Sequence, residues 1–450
     1  MRILFLAALF LRSVSVFSQD KSSEIYKYAR QVVDTLASPS MHGRGYVNNG
    51  DKVASDYIEG QMKSFGLKKF GSDYRQEFHL NVNTFPGEMQ LKYCALDDFK
   101  CIHNSETLPG SGFIADPSCP SVKGQFQLVR VDANSVKSYQ DIGFLKRDNF
   151  DKRFLYIDTT DIRDPELRKG IQSLVTEPPL GIKGIIIRKR CLTEHCNPLG
   201  PWDVAFDQSK SPIIYSTGFL EEDHADMVKL NIQAKLIKNY KTKNLISYIP
   251  GTLYPDSFIV FTAHYDHLGQ MGKDTYFPGA NDNASGSAML LSLARYYSQP
   301  AHAPKYSVAF MAFSGEEAGL LGSAYYAEHP LFPLRQIKFL INMDIMGTGD
   351  EGITVVNGTE FKPSFDALQK LNEQGHYLPE VKIRGKAANS DHYPFFMKGV
   401  PDFFIYTRGG IKAYHDIYDK AQTLPLTKFE DVFHLLTSFE SWLEGGNKGN

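Results

Sequence analysis

Six side chains able to bind a metal ion or move a proton follow one another through the C-terminal half of this chain: His264, Asp282, Glu316, Glu317, Asp344 and His415. Five metal ligands and one catalytic carboxylate in this order suit hydrolysis at a pair of zinc ions. The cysteines take no part, since Cys94, Cys101, Cys119, Cys191 and Cys196 all precede these segments. Any metal here must be held by oxygen and nitrogen.

The elements before these residues are what would bring them together. Apolar runs at 257–263, 306–313, 337–343 and 403–406 read as buried strands, each ending shortly before one of the candidates. Parallel strands in an open α/β sheet present their C-terminal ends to one crevice, where such folds bind ligands. After Asn244 strand and helix patterns alternate to the end, which predicts an α/β fold: a mainly parallel sheet flanked by helices on both faces. Two amphipathic helices are expected between residues 22 and 67, one with Ile25, Ala29, Val32 and Leu36 on its apolar face, the other with Ala54, Ile58 and Met62. A loop containing His42-Gly43-Arg44-Gly45 separates them. Between 88 and 235 short β-like runs at 126–131, 154–157, 185–187 and 213–215 predict an inserted β-rich domain.

Each candidate also has an ordinary reading. His264-Tyr265-Asp266 taken alone is a satisfied structural histidine, although Asp266 is also spaced to orient His264 as a ligand. Asn281-Asp282-Asn283-Ala284-Ser285-Gly286 opens an apolar helix from about 287 to 297 and reads as a turn and cap, yet capping needs only one such residue. Glu316-Glu317 is either a solvated pair, as Glu221-Glu222 is expected to be, or two carboxylates at a strand end that require a cation. Asp344 closes a buried strand, where an unpaired carboxylate is costly to desolvate. Asp419, four residues past His415, is a candidate supporting group. What favours the chemical reading is that they fall in order and, Asp282 apart, at or soon after strand ends.

The rest of the chain sets the context. Its 450 residues suggest two or three domains, and 42% hydrophobic with 22% charged residues is ordinary for a globular protein. A net charge of -2 without a long basic run gives no reason to expect nucleic acid as a partner. Arg2, the apolar run 3–11 and Val16-Phe17-Ser18 predict a cleaved signal over residues 1–18 and an exported chain, secreted or periplasmic, with no membrane span. The alternative is an uncleaved anchor, for which this run falls short of the roughly 20 residues a spanning helix needs. Export permits local disulfides, Cys94 with Cys101 and Cys191 with Cys196, leaving one thiol over.

Five segments together resemble the signature blocks of the co-catalytic di-zinc aminopeptidases, the metallopeptidase group that also contains aminopeptidase Y, the transferrin-receptor-like ectodomains and the glutaminyl cyclases. They are Thr262-Ala263-His264-Tyr265-Asp266, Asn281 to Gly286, Ser314-Gly315-Glu316-Glu317, Asn342-Met343-Asp344, and Tyr414-His415 to Asp419; Ser390-Asp391-His392 resembles a further block. The resemblance implies a zinc exopeptidase fold formed by residues 19–87 and 236–450. It implies two zinc ions per chain, with Asp282 bridging, His264 and Asp344 completing one site, and Glu317 and His415 the other. Glu316 would be the general base and Asp266 the partner of His264. The insert, 88–235, resembles more loosely a protease-associated domain, as at Gly181-Ile182-Lys183-Gly184 and Ser211-Pro212-Ile213-Ile214.

The activity implied is removal of N-terminal residues from peptides, with Glu316 moving a proton from water to the leaving amine. Within the same family the rivals are a single-zinc glutaminyl cyclase, a non-catalytic receptor-like ectodomain, and a carboxypeptidase or dipeptidase in which Arg408 grips a carboxylate unless it is simply a solvated loop residue. Asp391 and other carboxylates of the site would favour a substrate ammonium group. Tyr393, Phe395, Phe396 and Tyr414 would form an apolar pocket for the first side chain, or else pack in the core.

Overall fold

The computed structural model describes residues 23–97, 100–131, 153–160, 162–178, 181–189, 203–218 and 226–445. The expected signal segment, Glu221-Glu222, Cys191 and Cys196 lie outside the described residues, as does the side chain of Cys101. Eight strands form the sheet that carries the candidates. Their spatial order is Arg75–Thr84, Lys235–Ile249, Tyr306–Phe313, Tyr254–His264, Ile337–Met343, Asp402–Thr407, Ile353–Val356 and Val381–Ile383. The four from Tyr306–Phe313 to Asp402–Thr407 run parallel to one another. Antiparallel pairs occur toward the margins, where Lys235–Ile249 joins its two neighbours and Ile353–Val356 joins Asp402–Thr407.

The unbroken apolar runs of the central strands follow from burial on both faces. In Tyr254–His264, Ile259, Phe261 and Ala263 enter one core with Val33, Ile58, Leu291 and Leu436, whereas Phe258 and Val260 enter another with Phe313, Tyr326 and Phe395. Helices Glu24–Leu36, Gly50–Ser64, Gly286–Tyr297 and Phe429–Gly445 therefore cover one face, and Leu321–Glu328 with the short Tyr393–Phe396 cover the other. A strand buried this way has no reason to alternate polar and apolar residues. The first helix starts where Ser23 Oγ accepts the Tyr26 N–H at 3.1 Å, and it buries the stripe Ala29, Val32, Val33 and Leu36. Each large apolar side chain buried in this way contributes about 1.5–3 kcal/mol. Among the described residues no helix is long and apolar enough to cross a membrane.

A second eight-stranded sheet is built between Met89 and Ile232, with helix Pro165–Thr176 packed on it. Its core, including Leu155, Ile171 and Ile186, also takes in Leu268, Met271 and Phe277 from the segment that follows His264. The second sheet thus braces the stretch of chain between two candidate ligands, His264 and Asp282. Cys94 is disulfide-bonded, and Cys119 is a buried free thiol that burial pushes up to about 12, outside the reactive range.

Candidate active site

The four parallel strands deliver their candidates to one end of the sheet. His264 is the last residue of Tyr254–His264, Glu316 and Glu317 follow Tyr306–Phe313, Asp344 follows Ile337–Met343, and His415 lies beyond Asp402–Thr407. Asp282 comes from Ala280–Ser285, the turn that leads into helix Gly286–Tyr297. All are buried except Glu316, which is partly open.

Asp282 stands at the centre with its two oxygens turned to different neighbours. Its Oδ1 lies 3.4 Å from His264 Nε2, and its Oδ2 lies 3.1 Å from His415 Nε2. Asp344 Oδ1 is 3.4 Å from the same His264 nitrogen, while Glu317 Oε2 is 3.0 Å from that of His415. Two groups of N and O donors therefore share one carboxylate. Glu316 also approaches His264, but at 3.9 Å it stands farther from the imidazole than Asp282 and Asp344 do, and it is the most open to solvent. Ligand atoms of His264, Asp282 and Glu317 lie within 4.8 Å of one another, as do those of His264, Glu316 and Asp344.

Supporting contacts fix these side chains. The Nδ1 of His264 lies 3.2 Å from the backbone carbonyl of Asp266 and 3.8 Å from its Oδ1. The carboxylate expected to orient His264 is instead turned to the Glu316 N–H at 3.2 Å and the Tyr46 hydroxyl at 3.4 Å, because the two-residue spacing brings the carbonyl nearest to the ring. Asp344 Oδ2 accepts from Ser390 Oγ at 3.1 Å, and Asn342 Nδ2 donates to the same hydroxyl. His267, which no spacing singles out, has its Nδ1 2.6 Å from Glu317 Oε1 inside the protein. Asp419 accepts the N–H groups of Asn281 and Asp282 at 2.9–3.0 Å, so it holds the turn that carries Asp282.

The electrostatics separate the two adjacent glutamates. Burial pushes the Glu316 carboxyl well above the usual range, with Glu317, Asp391 and Asp344 adding to the effect and His264 opposing it. Burial acts on Glu317 in the same sense, but His415 and His267 beside it prevail and hold it down to about 2. Burial alone would depress both His264 and His415; the carboxylates around each raise it well above the ordinary imidazole value instead. Asp391 is fully buried, and burial pushes it up to about 6, with His264 and Ser323 opposing the shift. Asp344 Oδ1, likewise buried, has only the 3.4 Å approach of His264 Nε2. So many carboxylates at one strand end fit a site for cations, and the N and O donor set fits zinc.

A cavity of about 440 Å³ opens beside this cluster, between Asn281 and Asp344 at one end and Ile345, Phe404, Tyr406, Ile411 and Tyr414 along its wall. Of the aromatic residues proposed for such a pocket only Tyr414 lines it. Phe395 is buried against Phe313 and Tyr326, and Phe396 packs edge-on to Phe361, because the short helix there turns its apolar side to the core. Arg408 is not free to grip a carboxylate, being paired with Glu380 and with the carbonyl of Glu351. Lys412 reaches the cavity instead.

This sheet and this donor set are of a kind that suits zinc-dependent hydrolysis. Residues 244–439 match peptidase family M28. A probable zinc metalloprotease of Pyrenophora tritici-repentis is 37% identical over 113 residues, 24% of this chain and 23% of that protein. Aminopeptidase YwaD of Bacillus subtilis is 27% identical over 234 residues, 49% of this chain and 47% of the relative. The chain thus spans about half or less of the length of these curated relatives. Among solved structures, a zinc aminopeptidase from Bacillus subtilis superposes with a TM-score of 0.63 at 19% identity, over 92% of this chain and 94% of its own. A peptidase M28 precursor from Shewanella amazonensis superposes with a TM-score of 0.67 at 17% identity, over 93% of both chains. These likenesses establish the fold. The likeness to the M28 peptidases extends over residues 244–439.

Proposed function

We propose that this protein is an exported aminopeptidase that uses two zinc ions to remove residues, apolar ones above all, from the N-terminus of peptides. The observation that carries the reading is the division of donors around Asp282, with His264, beside Asp344, on one oxygen, His415, beside Glu317, on the other, and Glu316 left aside. Those five residues would hold the metal. When bound, zinc supplies Lewis-acid polarisation of the scissile carbonyl and acidifies water.

The protein's own groups account for the remaining steps. Glu316 is the base: it is partly open, stands farther from His264 than Asp282 and Asp344 do, and its proton affinity is raised by burial, so it can take a proton from water and pass it to the leaving amine. Asp266, through the Glu316 N–H, keeps the base in place. The surrounding carboxylates favour a substrate ammonium beside the scissile bond, and Ile345, Phe404 and Ile411 offer apolar surface to the first side chain. Residues 19–87 and 236–450 are assigned to the peptidase unit and 88–235 to a protease-associated-like insert; Arg2 with the apolar run 3–11 supports a signal over residues 1–18. The test compares leucyl and phenylalanyl peptides with their N-acetylated and C-amidated forms. Hydrolysis of the free-amine forms alone is expected, and equal hydrolysis of acetylated peptides would exclude an aminopeptidase.

A further inference from the structure

Arg44 belongs to none of the segments that carry the ligands, yet its guanidinium lies directly behind them. The side chain is fully buried and donates five hydrogen bonds, all to backbone carbonyls: Nε to Tyr265 at 2.8 Å, Nη1 to Leu36 at 3.0 Å and Pro278 at 2.7 Å, and Nη2 to Gly279 at 2.7 Å and Asp282 at 3.1 Å. Three of these carbonyls lie in the turn that carries Asp282, and a fourth lies next to His264. On the other side of the same turn, Asp419 accepts the N–H groups of Asn281 and Asp282. The turn is held by its carbonyls on a buried cation and by its amides on a buried carboxyl group.

The backbone around Arg44 is arranged for this placement. Arg44 itself adopts a φ of 51°, the left-handed region that a non-glycine residue rarely occupies. Gly43, at a φ of 62°, lets the loop approach so closely that a Cβ there would lie 2.3 Å from the Gly269 carbonyl oxygen. A Cβ at Gly279 would lie 2.2 Å from Asp282 O and 2.6 Å from the Arg44 guanidinium. Burial lowers Arg44 only to about 10, with Asp282 and Asp419 resisting the shift, so it stays charged at neutral pH.

We infer that Arg44 and Asp419 act as a positioning pair that sets the backbone of the Pro278–Asn283 turn, and with it the Asp282 carboxylate shared by both halves of the metal site. The inference rests on the two-zinc reading above. Because Asp282 faces both donor groups, a disturbance of the turn weakens both ions together, whereas a change at Glu317 weakens one. Arg44→Lys is the informative variant. Lysine keeps the charge but offers one compact donor atom in place of a planar fork, and it cannot reach carbonyls spread over five residues.

The experiment measures zinc affinity and stoichiometry of the full chain by competition with a chromogenic chelator, alongside circular dichroism and thermal melts of the metal-free protein. Wild type should bind two ions. Arg44→Lys should lose roughly 10- to 100-fold in affinity for both, with its metal-free fold retained, and Glu317→Gln should lose affinity for one. Arg44→Lys that is folded and binds both ions as wild type does would overturn the inference. Should Arg44→Lys fail to fold, Asp419→Asn decides: it removes one acceptor oxygen from the turn's amides and must give the same parallel loss. Wild-type affinity in that variant counts against the pair. A wild type that holds one ion defeats the two-zinc reading; loss of affinity for that ion in Arg44→Lys would still support the positioning role.

Discussion

Replacing Glu316 by glutamine separates proton transfer from metal binding. Glutamine keeps the size of the side chain and removes its charge and basicity. Glu316 comes no nearer to His264 than 3.9 Å, and its backbone N–H, which meets Asp266, is unaffected by the change. No contact that orders the other carboxylates is therefore lost. Loss of a positioned general base costs about 10²- to 10⁴-fold in kcat, which corresponds to roughly 3 to 5 kcal/mol of barrier. Stability should move the other way. Burial disfavours the Glu316 carboxylate, so the neutral amide should leave the melting temperature of the metal-free protein unchanged or higher. Glu317→Gln is the control, since Glu317 faces His267 at 2.6 Å and His415 at 3.0 Å, and each charge-assisted bond contributes about 1.5–3 kcal/mol. That variant should lose metal as well as turnover. The assay is steady-state release of a chromophore from a leucyl anilide, with metal content determined on the same samples. Turnover within a few-fold of wild type in Glu316→Gln, or metal loss equal to that of Glu317→Gln, would refute the assignment of the base.

Two further outcomes are expected. Protein prepared with excess zinc should carry about two ions per chain and lose activity to a chelator, recovering it on zinc addition; elemental analysis giving one ion would favour a single-metal enzyme. Asp402 is buried with one oxygen bonded to Asn357 at 2.7 Å and the other unpaired, and burial pushes it up to about 8. Its folded-state value lies above the unfolded one, so its contribution to stability is full below about pH 4 and is lost as pH rises through 8. At pH 7 the difference amounts to at most about 4 kcal/mol, so Asp402→Asn should raise the melting temperature at pH 8 to 9 and leave it little changed near pH 4. Equal melting of the two proteins across that range would show that Asp402 is not held neutral.

The ligand-bearing strands were legible because burial on both faces forces an unbroken apolar run, and the runs at 306–313 and 337–343 coincide with strands Tyr306–Phe313 and Ile337–Met343. The candidates stood out because acidic residues and histidines at the ends of such runs have few ordinary explanations. The aromatic run at 393–396 misled, since its residue types are the same for a pocket wall and for a core. Only the turn of the Tyr393–Phe396 helix decides that Phe395 points inward. The wall of the cavity beside the cluster combines Tyr414 with Ile345, Phe404 and Ile411, which no local pattern connects.

What sequence did not reveal is mostly support exerted through the backbone. Asp419 is marked by its place beyond His415, but Arg44 holds carbonyls, which every residue possesses, so the identity of its partners leaves no trace in their side-chain types. His267 and Ser390 touch Glu317 and Asp344 directly, but across 50 and 46 positions of chain. The distinction has a physical root. A ligand must be a particular donor at a particular strand end, and that leaves a pattern, whereas a group that fixes a turn needs only to reach it. The precision of a shared carboxylate such as Asp282 nevertheless depends on that turn, because a few tenths of an ångström in the backbone displace both of its oxygens at once. The chemistry of this site is therefore written in the ligands, and its geometry in a loop between the first two helices, more than two hundred residues away.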